Sequence, residues 1–233
     1  MNDEYDALLR EVHIYTFLLS QVDTAQLSKL QMLLDVAELE RLYRFRSEEL
    51  QQDFLLAHGM LRILLGQYVA VDPAALRFVT SPFGKPALAM PAGSDIQFNL
   101  AHSAGCVLIA ITRGRQLGVD IENIDAQIAD TSFYVEHFTA SEQQALANLP
   151  PALALRGFYT AWTSKEAFIK ATGEGFSADL QSFSVTIDLG KSSQPTMIHD
   201  GDKVWYLHQL DISSAVVAAL VVAPPLNYSV VIR

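Results

Sequence analysis

Between Phe158 and Gly175 the chain reads FYTAWTSKEAFIKATGEG, and Phe158, Ala161, Trp162, Phe168 and Ile169 recur there at helical spacing. A segment with that stripe must lay one side against a core, and Gly173 and Gly175 mark where its periodicity stops. Any fold open to this chain has to offer an apolar surface for the helix to cover. On the neighbouring face Glu166 and Lys170 stand four residues apart, one helical turn, so a carboxylate and an ammonium point the same way beside the stripe. Such a pair is common helix decoration, and a chemical role for it depends on what other stretches bring near.

One such stretch is QLGVDIEN, Gln116 to Asn123. Leu117, Val119 and Ile121 alternate with Gly118, Asp120 and Glu122, so a strand here puts both carboxylates on one face and the aliphatics on the other. Two neighbouring acids stay ionised together only when solvated or when a cation lies between them. The pattern therefore reads either as a solvated strand edge or as oxygen ligands for a hard ion such as Mg²⁺, which takes one or two carboxylates and completes its shell with water and phosphate oxygens.

A second stretch is FNLAHS, Phe98 to Ser103, ahead of the apolar run from Cys106 to Ile111. Asn99, His102 and Ser103 are expected in a turn between strands at Ile96 to Leu100 and Cys106 to Thr112. A His in such a turn is either a satisfied structural residue or, with a nearby Ser, a grip for phosphate. Just upstream, SPFGKP (Ser81 to Pro86) uses Gly84 and Pro86 to fix a loop and holds Lys85 at a defined place on it.

In this order, GKP at Gly84 to Pro86, NLAHS at Asn99 to Ser103, GVDIE at Gly118 to Glu122 and WTSKEAFIKATGEG at Trp162 to Gly175 resemble the motif set of the 4'-phosphopantetheinyl transferases of the surfactin-synthetase-activating type. The resemblance runs from about Arg41 to Gly175. It implies an α+β fold of two pseudo-symmetric lobes, residues 1–114 and 115–233, with the co-substrate site between them. It also implies an enzyme that moves the 4'-phosphopantetheine arm of coenzyme A onto a serine of an apo acyl or peptidyl carrier protein and releases 3',5'-ADP, serving fatty-acid, polyketide or nonribosomal-peptide synthesis. By the same likeness Asp120, Glu122 and Glu166 hold Mg²⁺, or Mn²⁺ in its place, and Glu166 or a metal-bound water is the base that activates the serine. Lys170 is catalytic and also touches the co-substrate. Lys85, His102, Ser103, Arg44 and Lys165 match co-substrate positions, although Lys165 falls within the apolar stripe and reads equally as a lysine whose stem packs there.

Composition is compatible with this. Half of the 233 residues are hydrophobic, enough for a sizeable core. The single cysteine, Cys106, rules out a disulfide framework within the chain and fits a reducing compartment. The acidic start MNDEYD lacks the basic-then-apolar pattern of an export signal, and the longest apolar run, Ala215 to Ala223, is too short to span a bilayer, so a cytoplasmic protein with no membrane partner is expected, and the family resemblance implies a monomer. A net charge of −10 argues against nucleic acid as a partner. It also sets a tension with acidic carrier proteins, whose binding would rely on a local basic or apolar patch; Arg41, Arg44 and Arg46 form one such cluster.

The remaining pattern predicts a strand at Glu11 to Leu19 and helices from Thr24 to about Leu34 and over Phe54 to Tyr68, stopping before Pro73. A strand follows at Leu76 to Thr80. Thr139 with Glu142 makes a capping box that opens a helix towards Asn148. Beyond Gly175, strands are expected at Ser182 to Ile187, Val204 to Leu210, Ala215 to Val222 and Ser229 to Ile232, with polar turns around Ser192 and Ser193 and at Asp200 and Gly201. Against the family pattern, Gln52, Asp53 and His58 stand where relatives carry basic residues, and Ala101 replaces a serine. These lie in the region that relatives use for the 3'-phosphoadenosine end, so weaker selection for the 3'-phosphate is expected. Two other readings remain: a carrier-binding module with little or no turnover, and a different Mg²⁺-dependent enzyme acting on nucleotide phosphates.

Overall fold

The computed structural model describes residues 3–125, 136–175, 178–187, 189 and 194–233. It is an α+β protein whose chain forms two compact units, Met1–Gly114 together with Tyr228–Arg233, and Arg115–Asn227. The last strand of the sequence thus belongs with the first unit, not with the segment that precedes it. No described helix is long and apolar enough to cross a membrane.

In the first unit α1 (Asp3–Ala7) leads into β1 (Glu11–Leu18), which ends one residue before the expected limit. Two short helices follow, α2 (Thr24–Gln31) and α3 (Val36–Leu42), where the apolar spacing suggests one. Each opens on a capping box, Asp23 with Gln26 and Asp35 with Glu38, and these reciprocal side-chain bonds start two helices in place of one longer one. The long helix α4 (Glu48–Val69) begins six residues before Phe54 and closes at Ala70, which takes the left-handed conformation at φ 53°. The hairpin of β2 (Arg77–Thr80) and β3 (Pro86–Met90) contains a strand that the Gly84 to Pro86 loop reading left out.

Next, β4 (Ile96–Ser103) and β5 (Cys106–Arg113) pair from Ile96↔Arg113 to Ser103↔Cys106, so only Ala104 and Gly105, both at positive φ, make the turn. His102 and Ser103 are therefore strand residues, not turn residues: a two-residue turn lets the ladder run to its end. With β10 (Ser229–Ile232) these strands form a sheet ordered β10-β1-β5-β4, parallel only between β10 and β1. The apolar face of α4, including Phe54, Leu61 and Leu65, packs in one core with Phe98, Val107, Ile109 and Ile111. Beside it Arg62, fully buried, donates to Glu38, to Asp35 and to the carbonyls of Pro73 and Leu76, which satisfies its guanidinium without solvent.

The second unit begins with β6 (Leu117–Asn123). The capping box at Thr139 opens α5 (Ala140–Ala147), and α6 (Pro151–Thr172) begins on the second of two prolines, which suits the first helical position. It then runs through the whole apolar stripe to Gly173, whose φ of 77° ends it as expected. The strands β7 (Thr196–Asp200), β8 (Lys203–Leu210) and β9 (Val216–Val222) complete an antiparallel sheet ordered β6-β9-β8-β7. Phe158, Ala161, Phe168 and Ile169 share a core with Trp205, Leu207, Val217, Ala219 and Val221.

Residues 182–187 form no strand. Phe183 and Val185 are buried as a strand pattern suggests, but side chains satisfy this backbone: Lys165 takes the carbonyls of Leu180 and Phe183, and Glu142 takes the Val185 amide. β7 was not foreseen, and its last residue, Asp200, lies where a turn was expected. The turn placed at Ser192 and Ser193 lies outside the described residues.

Candidate active site

The geometry of the carboxylate cluster begins with Gly118. A Cβ built on it would lie 2.2 Å from the carbonyl oxygen of Ala167 and 2.3 Å from the amide of Ala171, so β6 and α6 meet backbone to backbone at this point. Only glycine permits that approach. With Ala167 and Ala171 seated over Gly118, Glu166 and Lys170, their neighbours on α6, come down beside the next even-numbered residues of β6, Asp120 and Glu122.

There Lys170 Nζ donates to Asp120 Oδ1 at 2.6 Å. Asp120 is buried, not part of a solvated edge, and its other oxygen, Oδ2, has no hydrogen-bond partner. Burial raises the Asp120 carboxyl above the usual carboxylate range, with Lys170 pulling the other way. Glu166 is pushed up to about 7, first by burial and then by the charges of Asp120 and Glu122, with Lys170 opposing. Three carboxylates thus share one neighbourhood with a single ammonium among these four side chains. Among the described residues no group of three or more Asp, Glu, His or Cys side chains is arranged so as to hold a metal ion.

Lys165, one residue before Glu166, faces away from that cluster. Its Nζ donates to the carbonyls of Leu180 at 2.6 Å and Phe183 at 2.9 Å, lies 3.0 Å from Glu142 Oε2 and sits 4.3 Å from the Phe183 ring centroid. An ammonium has three protons, and all three are taken inside the second unit. Lys165 is therefore held as a buried structural cation within the second unit, not a lysine reaching out to water.

In the first unit, the loop carrying Lys85 is closed by paired bonds, Ser81 amide to Lys85 carbonyl at 2.9 Å and Lys85 amide to Ser81 Oγ at 3.0 Å. Burial lowers its ammonium to about 8. His102 and Ser103 are half-buried at the end of β4. Arg44 is exposed just past α3, and its neighbours Arg41 and Arg46 are exposed too, but Glu40, Glu48 and Glu49 are interleaved with them on the same surface stretch. Of the departures from the family pattern, His58 pairs with Glu38 at 3.1 Å and stacks on Phe54, whereas Asp53 is buried with Oδ2 accepting the Gly105 amide at 3.4 Å and Oδ1 without a partner.

Residues 116–221 match the family model described as the 4'-phosphopantetheinyl transferase superfamily. The chain is 33% identical over 214 residues to 4'-phosphopantetheinyl transferase HetI of Nostoc sp., an alignment covering 91% of this chain and 88% of the relative. The chain belongs to the 4'-phosphopantetheinyl transferase family. It is 32% identical over 151 residues to 4'-phosphopantetheinyl transferase Sfp of Bacillus subtilis, covering 64% of each. It is also 27% identical over 194 residues to 4'-phosphopantetheinyl transferase gsp of Aneurinibacillus migulanus, covering 82% of this chain and 71% of the relative. Together with its motifs, these place this phosphopantetheinyl transferase in the surfactin-synthetase-activating type.

Two residues that hold the second unit in shape carried a weaker signal. Gly118 was visible in the sequence as one member of an alternating run, with nothing to say that a helix backbone rests on it. Glu142 was visible as a capping residue; its Oε2 accepts the Thr139 amide at 2.7 Å, yet it also holds Lys165 and the Val185 amide. The capping box was legible because both its partners are local. The other two are not.

Proposed function

We propose that this enzyme transfers the 4'-phosphopantetheine arm of coenzyme A to a serine hydroxyl of an apo carrier protein, with Mg²⁺, and releases 3',5'-ADP. The observation that carries the reading is the cluster of Asp120, Glu122 and Glu166 on facing surfaces of β6 and α6, with Asp120 Oδ2 buried and unpartnered beside a single ammonium.

An unsatisfied buried carboxylate oxygen with two further carboxylates nearby is a poor arrangement for a protein that binds nothing there. It suits a hard cation, which asks for one or two carboxylates and leaves its remaining positions to water and phosphate oxygens. Asp120, Glu122 and Glu166 would hold that ion, and when bound it would offset the charge that develops on the pyrophosphate as the arm is displaced. Coenzyme A supplies the pyrophosphate, and Lys85, His102, Ser103 and Arg44 are the remaining side chains proposed to bind it.

Lys170, held by Asp120, keeps a positive charge at the cluster and fixes the carboxylate's orientation. Glu166 is the base. Its carboxylate, standing with Asp120 and Glu122 at the cluster, takes the serine proton as the hydroxyl oxygen bonds to phosphorus. The phosphoanhydride bond to 3',5'-ADP breaks in the same displacement.

The test is the intact mass of an apo acyl carrier protein after incubation with enzyme, coenzyme A and Mg²⁺, beside Glu166→Ala. A gain of one phosphopantetheine arm that disappears in the variant and on chelation of the metal is the expected result. Absence of any gain across several carrier proteins, with folded enzyme and metal supplied, would reject turnover.

A further inference from the structure

β6 and α6 are tied together at two places. One is the close approach at Gly118, where the backbone around Ala167 and Ala171 leaves no room for a side chain. The other lies past the end of the strand. The β9 ladder holds β6 as far as Asn123↔Val216, and the Ile124 amide carries it one step further by donating to the Ala215 carbonyl at 3.0 Å. The main chain of Asp125 is taken by α6 instead: the Tyr159 hydroxyl donates to its carbonyl at 3.2 Å and accepts its amide at 3.4 Å.

The two ties bracket the carboxylate cluster. Gly118 meets residues 167 and 171 while residue 125 meets residue 159, so Asp120 and Glu122 on the strand and Glu166 on the helix all lie between them. Tyr159 stands seven residues before Glu166, two helical turns, and therefore on the same side of α6. A tie is needed at this end because carboxylates repel one another, and the charges of Asp120 and Glu122 both bear on Glu166. Among the described residues β6 is an edge strand, paired with β9 on one side only, so its far end yields to that repulsion unless something outside the sheet restrains it. Tyr159 is itself well fixed. It packs in the core of the second unit, edge-on to Phe158 at 5.4 Å, and its carbonyl accepts from Thr163 Oγ1 at 2.8 Å.

We propose that Tyr159 is a positioning residue for the cluster: its hydroxyl clamps the open end of β6 against α6 and so fixes how far Glu122 stands from Glu166. The inference rests on the transferase reading only for what the cluster binds. The phenol ring alone fills the core; the hydroxyl alone makes the clamp, and Tyr159→Phe separates the two.

The experiment compares wild type, Tyr159→Phe and Thr160→Val, which loses a hydroxyl bond of 2.8 Å to the Arg156 carbonyl on the same helix without touching β6. Each is made with and without Glu122→Gln. In metal-free wild type Glu122→Gln is expected to raise the melting temperature by relieving repulsion from Glu166. The rise should be smaller in the Tyr159→Phe background, where the freed strand end has already let the carboxylate withdraw, and unchanged in the Thr160→Val background. The second readout is Mg²⁺. Tyr159→Phe is expected to raise the half-saturating Mg²⁺ concentration, read from melting temperature and from transfer rate, by about threefold to tenfold, the scale of one lost hydrogen bond. Its kcat at saturating Mg²⁺ stays near wild type. An equal effect of Glu122→Gln in the wild-type and Tyr159→Phe backgrounds would overturn the proposal, and so would a Mg²⁺ shift shared by Thr160→Val. Wild type that neither transfers nor responds to Mg²⁺ would reject the transferase reading, and the metal-free comparison alone would then decide the clamp.

Discussion

Glu142 and Lys165 form an ion pair of 3.0 Å in which the two side chains are 1% and 0% exposed. Each also satisfies backbone groups of residues 180–185, so the pair holds in place a segment that has no strand ladder of its own. Removing one partner leaves a buried charge together with orphaned amides or carbonyls. Lys165→Ala is expected to lower unfolding free energy by about 3–5 kcal/mol, and Glu142→Gln by a smaller amount because its amide keeps the shape. Urea unfolding followed by the fluorescence of Trp205, in the same core, reads both.

Gly118→Ala adds a methyl where the backbone of α6 already lies at 2.2 Å. The helix has to lift off β6, which moves Glu166 and Lys170 away from Asp120. A loss of about 2 kcal/mol or more in stability is expected, with transfer activity falling further than stability alone accounts for. Thermal melts and initial rates on the same preparation separate the two effects, and a variant with wild-type rates would show that the close approach is not needed by the site.

Asp120→Ala and Glu166→Ala are each expected to reduce kcat/KM by about a hundredfold or more, the scale seen when a preorganised charge is removed from a reacting site. Wild type should gain melting temperature on addition of Mg²⁺ and both variants should not, since a ligand of the folded state alone stabilises it by mass action. Differential scanning fluorimetry with and without metal gives this second readout without any carrier protein.

Glu166 dictates a pH dependence in the metal-free protein. Its carboxyl is raised from an ordinary 4.5 to about 7, so between those values the folded state holds a proton that the unfolded chain has released. Stability is therefore greatest at the acid end of that window, falls as pH rises through it and levels off above about 7. Asp120, shifted in the same sense, adds to the slope. Denaturant unfolding of metal-free protein at several pH values should show this fall, and Glu166→Gln should flatten most of it.

The preference for coenzyme A over its 3'-dephospho form is expected to be weaker here than in relatives with basic residues at the positions of Gln52, Asp53 and His58. Asp53 is a buried carboxylate with an unpartnered oxygen, which is no attraction for a phosphate. The ratio of kcat/KM for the two donors measures it, and a large preference for coenzyme A would refute the expectation. Asp53→Asn, which removes a buried charge and keeps the acceptor for Gly105, should be neutral or stabilising in unfolding experiments.

Much of the site was legible because its signals are local or periodic. The i to i+4 spacing of Glu166 and Lys170 and the alternation of Asp120 with Glu122 fix which way each side chain points before any tertiary contact is known. Where sequence reading went astray, non-local partners decided. Residues 182–187 alternate like a strand, yet their backbone bonds go to Lys165 and Glu142, distant in sequence. His102 and Ser103 look like turn residues by type, but the turn is made by Ala104 and Gly105, and strand pairing carries through them. Lys165 could not be assigned from its place in the stripe, because three acceptors from two other segments determine what its ammonium does.

The placement of β10 has a consequence for how the chain comes into being. Residues 229–232 pair in parallel with residues 11–14, and the amide of Arg233 reaches the carbonyl of Ile14 at 2.8 Å. The edge strand of the first sheet is therefore the last part of these residues to be synthesised, after the whole of Arg115–Asn227 has been made. During translation β1 waits with one side of its backbone unpaired, exposed to any strand that can zip onto it. The second unit, continuous in sequence, has no such wait. The unit that begins first is thus completed last, and nascent chains halted before residue 229 should hold a finished second unit beside an open-edged first.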